Sequence, residues 1–451
     1  MRSLLAVGLL AAVAACVAVS QPTSTPAQDK KDTVKKEKGK FDPPKAQKPD
    51  EATLKVIADK TDQLRKAVAA LREKKVRDDV LIEVEIYLKA AENIVRFEEW
   101  YAAASGKWAL TTLDHGLARA KDAEGGKAVW RDAPGKWVVR AYRSKVDDSI
   151  QPYAVLLPHD FGKDPNQKWR LDTELHGRDS SLTEAKFIAT HQGTAPKDLG
   201  YIQLEPYGRG NNAFRWAGET DVWEAVENFE VSSEAVNGKR KVRRGFSMGG
   251  AGAWHIGLHH PDRFNVIGPG AGFTTTHGYI ASLPKELPDF QEKCLRIYDA
   301  YLYAENAFNV PVVAYSGEKD AQKQAADNIE SALKEFKEPL RFTHLVAPGL
   351  DHKMPKEWQD KAEAEYRKFV DRSRPTPARV RFVTYTTKYA SCGWAHVLGL
   401  EQHYEKAVVD ARITADGIAA TTRNVSRLYL RHPHWGKKAG PVIDLDGTKF
   451  K

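Results

Sequence analysis

The sequence predicts an α/β protein: a mostly parallel sheet with helices on both faces, preceded by a helical hairpin and followed by a small β domain. Three observations carry this. Strand-like and helix-like stretches alternate from about residue 137 to 371, the pattern of strands joined by crossover helices. A serine flanked by glycines, in Gly245-Phe246-Ser247-Met248-Gly249, falls between one such strand and one such helix. After Arg374-Pro375-Thr376-Pro377 the pattern changes to short strand-like runs with hardly a helix signal.

The elements follow in chain order. Residues 1–20 read as an export signal, with Arg2 at the start and an apolar, alanine-rich run from 4 to 19. Ala18-Val19-Ser20 has the small-residue pattern of conventional cleavage, favoured because the apolar run continues past Cys16. Val13-Ala14-Ala15-Cys16 offers the alternative of lipidation at Cys16. The chain is therefore expected to be secreted or periplasmic, reaching a membrane only through a lipid on Cys16. No later stretch is long and apolar enough to span a bilayer. Residues 21–50 hold eight Lys against five acidic side chains and almost nothing apolar, which predicts a solvated linker. Within 51–128, Leu54, Ile57, Thr61, Leu64, Val68 and Leu71 step by three and four onto one helix face. Leu81, Val84, Leu88, Ala91 and Val95 form a second stripe after the polar break at 74–79, and a third helix is expected over 110–120. Stripes this short favour docking on the α/β region over a dimerising coiled coil.

The α/β region, 129–373, opens on a hairpin: 137–144 alternates like a strand, 146–149 turns, and 151–157 returns. Residues 169–175 form the next strand, followed by the turn His176-Gly177-Arg178. The serine follows the strand 239–244, and a helix runs from there towards Pro261. A sharp turn at this place presents the Ser247 hydroxyl at a helix N-terminus, where backbone N–H groups favour a developing oxyanion. Residues 310–315 read as a buried strand, with the loop 316–320 at its end. Asp320 is the predicted acid and Glu318 the reserve. A helix over 322–336 leads to a strand at 340–346 and then to Asp351-His352. Ser247, Asp320 and His352 thus occur in the order serine, acid, histidine, each just past a strand, and form a predicted catalytic triad. The N–H of Met248 and that of Gly177 or Arg178 are the predicted oxyanion donors.

With these motifs in place, residues 137–371 resemble the catalytic domain of the prolyl oligopeptidase family, within the α/β-hydrolase superfamily. They are also similar to the related exported esterases that act on acetyl or feruloyl groups of plant polysaccharides. The supporting stretch is Pro206-Tyr207-Gly208-Arg209-Gly210, followed by Trp216, Gly218, Glu219, Asp221 and Val222. It is similar to the family segment in which an Arg-Gly pair precedes a helix started by an acidic residue, which implies that Asp221 caps that helix. The resemblance implies a serine hydrolase that works through an acyl-enzyme without a cofactor. The large β-propeller of the oligopeptidases has no counterpart, because the helical segment is far too short to be one. That favours a small acyl ester or polysaccharide-linked ester over a short peptide, with a prolyl-oligopeptidase-like peptidase as the alternative. A non-catalytic polysaccharide-binding protein on the same scaffold is the second alternative.

Further residues bound the reading. Trp216 and Trp254 are candidates for stacking on sugar or aryl groups and Arg209 for contacting substrate, although such aromatics more often fill a core. His255 and His259 share a helix face with His260 beside them, but Ile256-Gly257-Leu258 offers no glutamate, so packing rather than a metal site is expected. The strand 239–244 is unusually charged for the centre of a parallel sheet. Arg243 and Arg244 there demand a partner carboxylate or an uncovered sheet face. The net charge of +9 is modest for 451 residues; without a nucleic-acid module it points to solubility rather than to an anionic partner. Cys294 and Cys392 are distant in sequence, so buried free thiols are expected over a disulfide. The β domain, 374–451, has strand-like runs at 380–387, 393–398, 407–413, 417–422 and 425–430, and ends in the turn 444–448 with no strand to answer it.

Overall fold

The computed structural model describes residues 43–451, apart from 127, 278, 280–282, 285, 335–339, 432–441 and 451. The expected export signal, Cys16 and most of the expected linker lie outside the described residues. The stripe at steps of three and four becomes the buried face of α1 (Glu51–Glu73), with Ile57, Thr61, Leu64, Val68 and Leu71 turned inward. The Asp50 carboxylate accepts the N–H of Thr53 and starts that helix. α2 (Asp78–Arg96) is buried on more than one face, since it packs on α1, on α3 (Ser105–Ala123) and on the first two strands. The helices share one core with Val139, Ala141 and Ala154 of those strands. Glu83 of α2 is fully buried there, ion-paired with Arg131 and Arg140.

β1 (Trp137–Arg143) and β2 (Ile150–Leu156) pair as an antiparallel hairpin at one edge of the central sheet. β3 (Trp169–Leu175), β4 (Ile202–Pro206), β5 (Val236–Phe246), β6 (Val266–Gly270), β7 (Val312–Gly317) and β8 (Phe342–Ala347) complete it. The order is β1-β2-β4-β3-β5-β6-β7-β8. From β4 across to β8 every pairing is parallel. Strand alternation sends Ile267, Val312 and Ala314 to one face, against α6 (Met248–His259) and α8 (Lys323–Lys334). Val242, Val266 and Val313 go to the other face, against α9 (Lys356–Val370). α5 (Ala217–Ser232) covers β1, β2 and β4, and α4 (Glu184–Thr190) packs on α2 and α3.

The charged strand of the sequence is β5, and the same alternation resolves it. Arg243 and Arg244 leave the sheet on opposite faces. Arg244 donates to Glu174 at 2.9 Å and to Tyr201 at 3.1 Å, beside a cavity of about 510 Å³ between the sheet and α9. Of the two expected remedies, Arg244 takes the carboxylate; its face of the sheet is covered by α9. Arg243 is different: it is fully buried, with its guanidinium 4.9 Å from the Phe264 ring and 5.4 Å from that of Trp223. Its Nε and Nη1 have no hydrogen-bond partner, and burial alone pushes its pKa down to about 9. Desolvating a cation costs several kcal/mol, whereas two ring faces return about 2 kcal/mol each at best. Arg243→Met is therefore expected to stabilise the protein by about 1–2 kcal/mol in urea unfolding; a loss of stability would show that the ring faces outweigh desolvation.

The C-terminal region forms two further sheets. β9 (Arg379–Thr384), β12 (Ala407–Ile413), β13 (Gly417–Arg423), β15 (Val442–Leu445) and β16 (Thr448–Phe450) make one, in the order β16-β15-β13-β12-β9. β10 (Ser391–Cys392), β11 (Ala395–Leu400) and β14 (Val425–Leu430) make the other. The turn 444–448 is thus answered: Leu445 pairs with Thr448 and Ile443 with Phe450. The sequence hides β16 because its three residues are all exposed and carry no apolar alternation. Residues 43–451 form one compact unit. Asn306 joins its parts, donating to the carbonyls of Leu258 and Val383 while accepting the N–H of Val383 at 2.7 Å. Both cysteines are free; Cys392 is buried as expected, but Cys294, on the wholly unburied α7 (Asp289–Leu295), is exposed.

Candidate active site

Ser247 sits between β5 and α6 with φ 59° and ψ −121°, a backbone state that costs a non-glycine residue about 1–3 kcal/mol. The tight strand–turn–helix crossing demands it. Two residues on, a Cβ at position 249 would lie 1.8 Å from the carbonyl oxygen of Leu175, so only glycine fits between α6 and β3. The Ser247 N–H donates to the Gly270 carbonyl at 2.8 Å, which ties the turn to the end of β6.

His352 reaches this serine from the loop after β8. The Ser247 hydroxyl donates to His352 Nε2 at 2.8 Å, and His352 Nδ1–H donates to Asp320 Oδ2 at 2.7 Å. The second carboxylate oxygen of Asp320 accepts the N–H of Gln322 at 2.8 Å, so the acid cannot rotate away from the imidazole. This pair of bonds selects the tautomer with its proton on Nδ1 and leaves the Nε2 lone pair facing the serine. The Asp320 side chain is buried, while His352 is 39% exposed, so the site is open to solvent on the histidine side. Glu318, the reserve acid, instead accepts the N–H of Gly349 at 2.7 Å and pins the histidine loop to the acid loop. The Lys319 N–H adds a 2.8 Å bond to the carbonyl of Leu350. A Cβ at position 317 would strike the Asp351 carbonyl at 2.1 Å, so the two loops can touch only because Gly317 ends β7.

Two of the predicted oxyanion donors lie beside the nucleophile. Met248 opens α6, where its N–H has no acceptor within the helix. The Gly177 turn passes beside the nucleophile, since a Cβ there would lie 3.7 Å from the Ser247 Cβ. Arg178 follows on that turn. His176 secures it by bridging to the Tyr207 carbonyl at 3.0 Å and packing its ring on Phe214.

The three predicted substrate contacts separate. Trp254 is 1% exposed and stacks on Phe342 in the core, because α6 turns that face onto the sheet. Arg209 is consumed by Asp147 at 2.6 Å, Asp221 at 3.0 Å and the Ser144 hydroxyl at 3.0 Å, which makes it a structural brace. Trp216 alone is exposed, at 60%. The cap of α5 also differs from expectation: the helix starts after Trp216, and Asp221 lies in its second turn, gripping Arg209. Burial raises the Asp221 carboxyl, against the pull of Arg209, to about 6.

Behind the nucleophile, His255 and His259 are buried, and among the described residues neither belongs to a metal-holding group. His255, with His260, faces a buried carboxylate, Glu219, two residues before the expected cap Asp221. Glu219 lies 3.6 Å from His255 and 3.4 Å from His260, and accepts from the Tyr389 hydroxyl at 2.8 Å and from Lys388. Burial opposes its ionisation, but the histidines and Lys388 outweigh that and hold its pKa well below the usual carboxylate range.

The chain matches no protein-family model and no curated protein. Among solved structures it is similar to a ferulic acid esterase, at 19% identity and TM-score 0.39, over 53% of this chain and 97% of the other. It is similar to a fluorophosphonate-binding serine hydrolase of Staphylococcus aureus, at 19% identity and TM-score 0.39, over 52% and 98%. An S-formylglutathione hydrolase from Agrobacterium tumefaciens gives 18% identity and TM-score 0.40, over 52% and 96%. The fold is read from the strands themselves. A mostly parallel eight-stranded sheet, with serine, acid and histidine on the turns after β5, β7 and β8, is the α/β-hydrolase fold.

Proposed function

We propose that this chain is an exported serine hydrolase that cleaves carboxylic esters, including esters carried on polysaccharides. The observation that supports it is the unbroken relay Ser247–His352–Asp320, with bonds of 2.8 and 2.7 Å. Ser247 Oγ attacks the ester carbonyl while His352 Nε2 takes its proton. The negative charge that develops rests on the N–H groups of Met248 and the Gly177–Arg178 turn. His352 then protonates the leaving alcohol, and Asp320 stabilises the imidazolium without itself taking the proton. Water, deprotonated by His352, releases the acid from the acyl-enzyme. The exposure of His352 suits an ester on a bulky alcohol, which needs room on the leaving-group side.

A fluorophosphonate probe tests this directly. A single adduct is expected at Ser247 by mass spectrometry, absent from Ser247→Ala and strongly slowed in His352→Ala. Folded protein that takes no adduct would sink the hydrolase reading in favour of a polysaccharide-binding scaffold. Matched acetyl esters and short peptide amides then decide the substrate; faster amide turnover would make the chain a peptidase.

A further inference from the structure

Two helices of this protein start from the same rare backbone state. Ser247 precedes α6 with φ 59° and ψ −121°; Trp216 precedes α5 with φ 54° and ψ −124°. Glycine alone enters this region freely, and a bulky side chain there is an outlier. At Ser247 the strain presents a nucleophile. At Trp216 it presents an indole that is 60% exposed, where burial returns little of the cost. Strain spent on holding an apolar ring in water points to a ligand for that ring.

The surroundings specify the ligand. The ring of Tyr298 stands edge-on to Trp216 at 5.7 Å, and Lys388 lies 5.1 Å from the other ring's centre, over Tyr298. Beneath them Arg215 is buried, bonded to Thr276 at 2.9 Å and to Asp299 at 3.3 Å, which fixes the loop that carries Trp216. An aromatic pair, Trp216 exposed and Tyr298 half-buried, with a polar rim suits a ring that is apolar on its face and hydroxylated at its edge, a pyranose. Tyr298 also packs 5.5 Å from His255, eight residues along α6 from Ser247, or about 12 Å of helix. Sequence reasoning missed Tyr298 because nothing in its segment is periodic. The loop of Trp216 and the segment after β6 flank the first turns of α6: Phe214 lies against position 252, and Gly272 against Gly250 and Ala251.

Resting on the esterase reading above, we infer that Trp216 and Tyr298 form a distal sugar seat, its Tyr298 ring against His255 well along α6 from the nucleophile, so that the preferred substrate is an esterified oligosaccharide or polysaccharide rather than a small ester. A small ester at Ser247 is too short to reach the seat.

Trp216→Gly tests this, because glycine relieves the backbone while removing the ring. The variant is expected to keep or raise its Tm. Its kcat/KM on acetylated oligosaccharides should fall at least tenfold, and on p-nitrophenyl acetate it should stay within twofold. A lowered Tm with equal loss on both substrates would overturn the seat and make Trp216 a packing residue. Unchanged activity on both would overturn it as well. Binding is measured separately, by titrating Ser247→Ala protein with β-1,4-linked hexaoses of xylose, glucose and mannose. At least one is expected to bind, and to bind tenfold or more weakly once Trp216→Gly is added. No hexaose binding, in a chain whose parent takes the fluorophosphonate adduct, overturns the seat and leaves the hydrolase standing. Hexaose binding that depends on Trp216, in a chain that takes no adduct, does the reverse.

Discussion

Asp320→Asn is expected to lower kcat on an ester substrate by about 10⁴-fold while leaving KM and folding nearly unchanged, equivalent to about 5.5 kcal/mol of transition-state stabilisation. The reason lies in the single bond of 2.7 Å from His352 Nδ1–H. A carboxylate can only accept there, so it enforces the tautomer whose Nε2 is free to take the serine proton. An amide can present its NH₂ group to Nδ1 and select the opposite tautomer, in which Nε2 carries the proton and cannot act as base. The amide also lacks the charge that stabilises the imidazolium. The Gln322 N–H can still bind the remaining oxygen, so the loop should persist. Glu318→Gln is the matched control: its carboxylate only holds the Gly349 N–H, and less than about a threefold change is expected from losing one charge-assisted bond in a loop held by others. If Glu318→Gln proved the more damaging of the two, the assignment of the acid would be wrong. Steady-state kinetics on one ester, with circular dichroism to verify folding, decides the matter.

Glu219→Gln is expected to destabilise the protein by about 3–5 kcal/mol at pH 7 in denaturant unfolding. The carboxylate is 4% exposed and sits where α5, α6 and the segment before β10 meet. Removing its charge strands Lys388 and leaves His255, already orphaned at both ring nitrogens, in the same buried space. The pH dependence has a definite sign. The folded pKa of Glu219 is depressed, so its contribution is fully present above the unfolded glutamate value of about 4.3 and is lost as pH falls towards the folded value. The gap between parent and variant should therefore shrink progressively below about pH 4. His255 is pushed down by burial, although Glu219 pulls it up, so protonating it adds an acid-side cost of its own. A gap that stays constant from pH 7 to pH 3 would mean that the ionised carboxylate is not what holds these elements together.

Much of the catalytic architecture was legible because its signals are local. Apolar steps of three and four place Leu64 and Val68 on the buried face of α1, and alternation marks 137–144 as a strand of a hairpin. Glycines beside Ser247 reflect a crossing so close that a Cβ would overlap the neighbouring backbone. The triad could be read because each member follows its own strand, and strand ends on one edge of a parallel sheet necessarily converge. The same logic misled where a residue's role depends on what lies across the interior. Asp221 has the sequence position of a helix cap, yet Trp216 takes the cap, and Asp221 turns inward to Arg209.

By itself, then, the sequence determined the α/β class and the three residues that meet at the candidate active site, since these depend on spacing and on strand ends. Tertiary structure alone decided between equal chemistries at distant positions. It sent Arg243 into an aromatic slot and Arg244 to Glu174, adjacent residues on one strand that pleating turns to opposite faces. It buried Trp254 and exposed Trp216, and chose Asp320 over Glu318 by which carboxylate faced the imidazole. A side chain's direction and partner are set by the elements packed around it, and those arrive from anywhere in the chain.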